Sequence, residues 1–95
     1  MESVNNRLLA RRLVIKNELG LHARAAARIA EIAQRARFQV WIVKDGKSVD
    51  ATSILEILSL ACTPGTTIMV KIEDKEDIDI LNNIAELVEG GFGEG

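Results

Sequence analysis

The run from Ala23 to Arg35 constrains the fold more than any other stretch, because six of its residues are alanine. Alanine loses least on entering a helix, so a helix is predicted here. Ala26, Ile29, Ala30 and Ala33 recur on one face, while Arg28, Glu31 and Arg35 fall elsewhere. A buried face of such small side chains needs a neighbour that can approach closely, and a β-sheet is the simplest one.

The rest of the chain supplies that sheet. In "RRLVIKN" (11–17), Leu13 and Ile15 share one side, and Arg12, Val14 and Lys16 the other. "FQVWIVK" (38–44) is β-branched and aromatic. "DGK" (45–47) is a hairpin signal, and "SVDA" returns as a short strand. "TTIMVKIE" (66–73) alternates Ile68, Val70 and Ile72. Between these, "TSILEILSLA" (52–61) is predicted helical, with Ile54, Ile57 and Leu58 at helical spacing. Ser53 and Glu56 fit a capping box there, and "TPG" closes the segment. "KEDIDILNNIAELVEGG" is predicted as a last amphipathic helix with Ile78, Leu81, Ala85 and Val88 on one face and Gly90 as its stop.

The order β-α-β-β-α-β-α predicts an α+β, open-faced β-sandwich: a four-stranded antiparallel sheet with all three helices on one face. The uncovered face would then carry Val14, Trp41, Val43, Met69 and Lys71. That is either an association surface or the ordinary scatter of exposed apolar residues.

At 95 residues, 47% apolar and 27% charged, the chain reads as one globular domain, residues 10–95, after a frayed extension over 1–9. A net charge of −2 argues against nonspecific nucleic-acid binding. So does the aromatic set of only Phe38, Trp41 and Phe92, which offers no stacking platform. A single cysteine, Cys62, suits a reducing compartment. There is no apolar run of the ~20 residues that span a bilayer, and "MESVNNR" lacks the apolar core of a signal peptide. A cytoplasmic protein without membrane attachment is expected.

"LGLHARAAAR" (19–28) holds the one histidine, His22, at the mouth of the alanine helix. It could be a semi-exposed loop residue. It could bind metal, although no further ligands lie at metal spacing, so no metal or cofactor is expected. It could act as a nucleophile. The third reading gains from position. First-turn amides lack intrahelical acceptors and form an anion site with the helix dipole, here at Ala23, Arg24 and Ala25. Arg24 adds a planar fork for phosphate oxygens. Phosphoryl transfer asks mostly for positioning and charge stabilisation, which this group supplies.

"LGLHAR" before a small-residue helix resembles the active-site segment of HPr, the histidine-containing phosphocarrier family of the phosphoenolpyruvate-dependent phosphotransferase system. "SILEILSLA", "TPGTTIMVKI" and the "GGFGEG" tail extend the resemblance across about residues 10–95. "Leu-Gly-Leu-His" resembles the nitrogen-related branch more than the sugar-transport type. The resemblance implies strand order 1-4-2-3. It implies that His22 accepts a phosphoryl group on Nδ1 from enzyme I and passes it to an EIIA-type domain, with Arg24 stabilising the group. It also implies a docking surface made of Arg28, Ile54, Leu55 and Leu58.

Ser53 is a helix cap and a candidate regulatory phosphorylation site for an HPr kinase/phosphorylase. The chain departs from the family pattern in three places: Ala25 where proline is usual, Glu56 in the docking helix, and Leu19 before the glycine. The rival reading is a regulatory interaction module acting through the second helix and Ser53; a small-molecule-binding α/β module is a weaker one. A monomer is expected, with dimerisation through the bare sheet face as the alternative.

Overall fold

The computed structural model describes residues 9–94, so the extension expected over 1–9 lies almost wholly outside the described residues. Four strands form one antiparallel sheet: β1 (Ala10–Val14), β2 (Val40–Lys44), β3 (Lys47–Asp50) and β4 (Thr67–Ile72), in the order β1-β4-β2-β3. The helices are α1 (Ala23–Ala33), α2 (Ile54–Leu58) and α3 (Ile78–Glu89). Short 3-10 turns at Lys75–Asp77 and Gly91–Gly93 flank α3. Strand order, element order and the α+β open sandwich all agree with the sequence expectation.

Register explains why one face of the sheet is dry. Leu13 pairs with Ile68, Ile42 lies between Val49 and Val70, and Val40 pairs with Ile72, so the middle of that face is branched and apolar, with Arg11 opposite Val70 at its edge. These apolar residues are buried in one core together with Ala26, Ile29, Ala30 and Ala33 of α1. The alanine face thus lies in the sheet's core, and α1 is flanked by α2 and α3. On α3, Leu81, Ala85 and Val88 are buried, joined by Ile84, while Ile78 is half-buried. The β2–β3 turn works because Asp45 and Gly46 both take left-handed φ, at 49° and 81°, which matches the twist of the flanking strands.

Helix α2 is shorter than the predicted 52–61 and spans five residues. Ser53 caps it, its Oγ accepting from the Glu56 amide at 3.2 Å. The predicted box closes only on that side. Glu56 reaches past Ser53 and accepts from the Asp50 amide at 3.0 Å, so its carboxylate braces the end of β3 instead. Only Ile57 of α2 is fully buried; Ile54 is 39% exposed and Leu55 80% exposed. Of the residues at helical spacing, Ile57 is buried and Leu58 is half-buried against the core, while Ile54 lies outside.

Gly20 fixes the entry to α1. Its φ is +66°, and a Cβ there would lie 2.5 Å from the Cys62 carbonyl oxygen and 3.2 Å from the Thr63 Cα. The bare backbone lets the loop press against residues 62–64, and the next amide, Leu21, donates to that same Cys62 carbonyl at 2.9 Å. Residue 22 is then delivered at the start of the helix.

Candidate functional site

His22 is the N-cap of α1, in extended conformation, with its carbonyl accepting from the Ala26 amide at 2.8 Å. Its side chain makes no capping hydrogen bond. The amides of Ala23, Arg24 and Ala25, in the first turn, therefore have no intrahelical acceptor and no side-chain cap from His22. Ala23 and Arg24 are exposed, whereas Ala25 is buried against the core. The departure from proline at position 25 leaves the helix starting at Ala23 all the same.

The ring of His22 is 26% exposed and lies in an open groove of about 850 Å³, whose walls include Lys16, Asn17, Arg24, Glu89 and Glu94. Of these only Arg24 was foreseen as part of the site, and Glu94 and Asn17 are the two others that hydrogen-bond into it. Glu94 accepts from or pairs with Nε2 of His22 at 2.5 Å. Asn17, only 5% exposed, donates through Nδ2 to the Gly20 carbonyl at 2.7 Å and to Glu94 at 3.2 Å. The hydrogen bond from His22 holds the Glu94 carboxyl below its ordinary range, with the Asn17 amide and the Arg24 charge adding to the effect against some desolvation.

The C-terminal turn places Glu94. Gly91 and Gly93 take left-handed φ, and Phe92 between them does the same at 59°. The Phe92 ring is buried, and its carbonyl accepts from the Arg28 guanidinium at 2.7 Å. Arg28, expected as a docking residue, thus anchors this turn. A phenylalanine set among glycines just past a helix is the sequence signal that would have pointed here. Its burial ties the tail down and returns the chain to the mouth of α1.

The other docking candidates lie on the far side of Arg24. Arg24, Arg28 and Ile54 line a second, shallow depression of about 350 Å³ between α1 and α2. Leu55 projects from α2, and Leu58 is half-buried. Glu56 is exposed on the same helix. Among the described residues, no group of three or more His, Cys, Asp or Glu side chains is arranged to hold a metal ion. Among them, too, no helix is long and apolar enough to cross a membrane. Cys62 is a free buried thiol, and burial pushes its pKa up.

The structure thus sets a histidine at a helix mouth, with open amides and an arginine beside it, on an open-faced sandwich, as the family resemblance implies. Comparison with known proteins agrees. The family model described as the PTS HPr component phosphorylation site matches residues 9–90. The phosphocarrier protein HPr of Neisseria meningitidis serogroup A is 32% identical over 88 residues, covering 93% of this chain and 99% of that protein. The crystal structure of HPr-C-His from Thermoanaerobacter tengcongensis superimposes with a TM-score of 0.81 at 36% identity, covering 90% of this chain and 97% of that one. An HPr dimer from the same organism matches at a TM-score of 0.68 and 38% identity, covering 84% and 92%. The chain belongs to the HPr family of phosphocarrier proteins.

Proposed function

We propose that this protein carries a phosphoryl group on Nδ1 of His22, accepting it from enzyme I and delivering it to an EIIA-type domain, in the cytoplasm. The observation that carries this reading is the placement of His22 as the N-cap of α1, beside the first-turn amides of Ala23, Arg24 and Ala25 and the guanidinium of Arg24. A neutral imidazole nitrogen attacks phosphorus, the new Nδ1–P bond forms as the donor's bond to phosphorus breaks, and the dianionic group settles against those donors. Arg24 is exposed beside the groove, and a guanidinium keeps its charge while it binds phosphate oxygens.

Docking runs through Arg28, the exposed Ile54 and Leu55 and the half-buried Leu58 of α2. A small apolar patch with a basic rim suits an acidic partner that must bind fast and leave fast. Glu56 adds a negative charge to this patch and tunes which partner is accepted. Ser53 caps α2, and modification of that hydroxyl by an HPr kinase/phosphorylase would put negative charge into the same patch. The protein works as a monomer. No metal or cofactor of its own enters the step.

The test is an intact-mass measurement after incubation with enzyme I, magnesium and phosphoenolpyruvate, kept alkaline because phosphohistidine is acid-labile. Wild type gains one phosphoryl group and His22→Ala gains none. A folded wild type that gains nothing from an enzyme I of the same cell overturns the proposal.

A further inference from the structure

We propose that Asn17 is a positioning residue for phosphoryl transfer: its buried side-chain amide holds the Gly20 carbonyl, and through that oxygen the backbone of His22, so that the imidazole stays aligned with the first-turn amides of α1. This rests on His22 being the phosphoryl acceptor.

The loop from β1 to α1 is fixed first at its sheet end. Ile15, fully buried, donates its amide to the Thr66 carbonyl at 2.8 Å, and its carbonyl accepts from the Gly65 amide at 2.7 Å. Asn17 follows two residues later and is only 5% exposed. It closes the turn twice. Its carbonyl accepts from the Gly20 amide at 3.0 Å, and its Nδ2 donates to the Gly20 carbonyl at 2.7 Å. That same carbonyl accepts from the His22 amide at 3.0 Å. A carbonyl oxygen has two lone pairs. Here one partner is a side chain fixed beside the sheet, and the other is the residue that reacts. The placement of His22 thus passes from β1 to α1 through one oxygen.

The cost of this arrangement shows what it is for. The partners of Nδ2, the Gly20 carbonyl and the Glu94 carboxylate at 3.2 Å, are both oxygens, so the NH2 end of the amide must face them. Oδ1 is left buried, with no hydrogen-bond partner among the described residues. An unpaired buried amide oxygen lowers stability. An apolar side chain at position 17 would avoid that loss, and the Gly20 carbonyl would still keep the His22 amide as a partner. Stability alone therefore does not account for asparagine here. What asparagine adds is a second donor on the oxygen that sets His22. Displacing a reacting group by about 1 Å can cost about a hundredfold in rate, so alignment is where that second donor counts.

The test compares wild type with Asn17→Ala and with Asn17→Leu, which keeps the branched shape without polar atoms. Each is mixed with phosphorylated enzyme I over a range of concentrations and quenched on the millisecond scale. The saturating rate reads alignment, and the half-saturating concentration reads docking. Both variants should saturate at a rate about tenfold or more below wild type, with half-saturation within about twofold. Their melting temperatures should fall by less than about 5 °C. Asp77→Ala strips the acceptor from the Arg37 and Phe38 amides, outside the groove, and should do the reverse: a larger fall in melting temperature with a wild-type rate. One measurement needs no variant. In wild type the side-chain amide of Asn17 should exchange with deuterium at least about tenfold more slowly than that of the exposed Asn83.

Unchanged saturating rates in both variants, or an Asn17 amide that exchanges as fast as that of Asn83, would overturn the inference and leave the carrier reading intact. So would a rate loss accompanied by a fall in melting temperature as large as that of Asp77→Ala, because the contact would then be an ordinary structural one. A change confined to the half-saturating concentration would assign Asn17 to docking and overturn it as well. Wild type that takes no phosphoryl group from enzyme I would sink the carrier reading itself, and this inference with it.

Discussion

Replacing Gly20 with alanine tests how the site is positioned. The residue has φ +66°, and a left-handed conformation costs an L-amino acid about 1–2 kcal/mol. The added Cβ would stand 2.5 Å from the Cys62 carbonyl oxygen, which is backbone and cannot rotate away. Relief requires the loop to lift off residues 62–64, at the expense of the Leu21 to Cys62 hydrogen bond, worth about 1 kcal/mol. The total is about 2–3 kcal/mol, or a melting temperature lower by roughly 8–24 °C for a domain of this size. Gly46→Ala is the matched comparison: φ is +81°, but nothing lies within 4 Å of its Cβ, so it should cost the conformational part alone. Urea unfolding of both variants separates the two contributions. A Gly20→Ala loss below about 0.5 kcal/mol, or one equal to that of Gly46→Ala, would refute close packing as the reason for glycine at position 20.

Asp77 accepts from the Arg37 and Phe38 amides at 2.9 Å each and is buried, so Asp77→Ala strands two donors and should cost about 2–4 kcal/mol by urea titration. Ser53→Ala removes the cap on α2 and should cost about 1 kcal/mol, measured the same way, while Ser53→Asp keeps an acceptor there and should cost less. The Glu94 and Asp50 carboxyls are both held below their ordinary values of 4.5 and 3.8, the first by His22 and the second by the Thr52 amide and hydroxyl. A depressed folded-state pKa gives stability that is present above the unfolded value and lost as pH falls through the folded one. Acid unfolding below about pH 4.5 should therefore flatten in Glu94→Gln and Asp50→Asn, read as a smaller drop in melting temperature per pH unit. Cys62 should react with iodoacetamide more than tenfold slower in the native protein than in urea, on the order expected for a buried thiol with a raised pKa.

The elements that bury one face were legible in the sequence because period and burial coincide. Leu13/Ile15 and Ile68/Val70/Ile72 alternate, and the alanine stripe repeats at helical spacing, so sheet and flanking helices followed directly. His22 and Arg24 were legible because a lone histidine at a helix mouth stands out chemically. Helix α2 was misjudged in length, since its apolar residues divide between the core at Ile57 and the surface at Ile54 and Leu55, and surface use leaves no periodic signature different from a core. The capping box was half wrong because the partner of Glu56 was decided by where β3 ends, a tertiary fact. Glu94 and Asn17 were missed for the same reason, although Phe92 among its glycines marked the tail as tied down. They are 77 residues apart in sequence, and only the buried Phe92 and the left-handed glycines of the tail bring them together.

The measurement closest to the heart of this picture follows one phosphoryl group through the protein. Wild type loaded with radiolabelled phosphate from enzyme I is purified away from the donor and mixed with an EIIA-type acceptor. If His22 is a carrier site, label should leave this protein and enter the acceptor in equal amounts, the transfer should run in reverse, and Arg24→Ala should slow both directions. Label that loads but stays, or that never loads on a folded protein with His22 intact, would contradict the carrier function and turn attention to α2 and Ser53 as a binding surface.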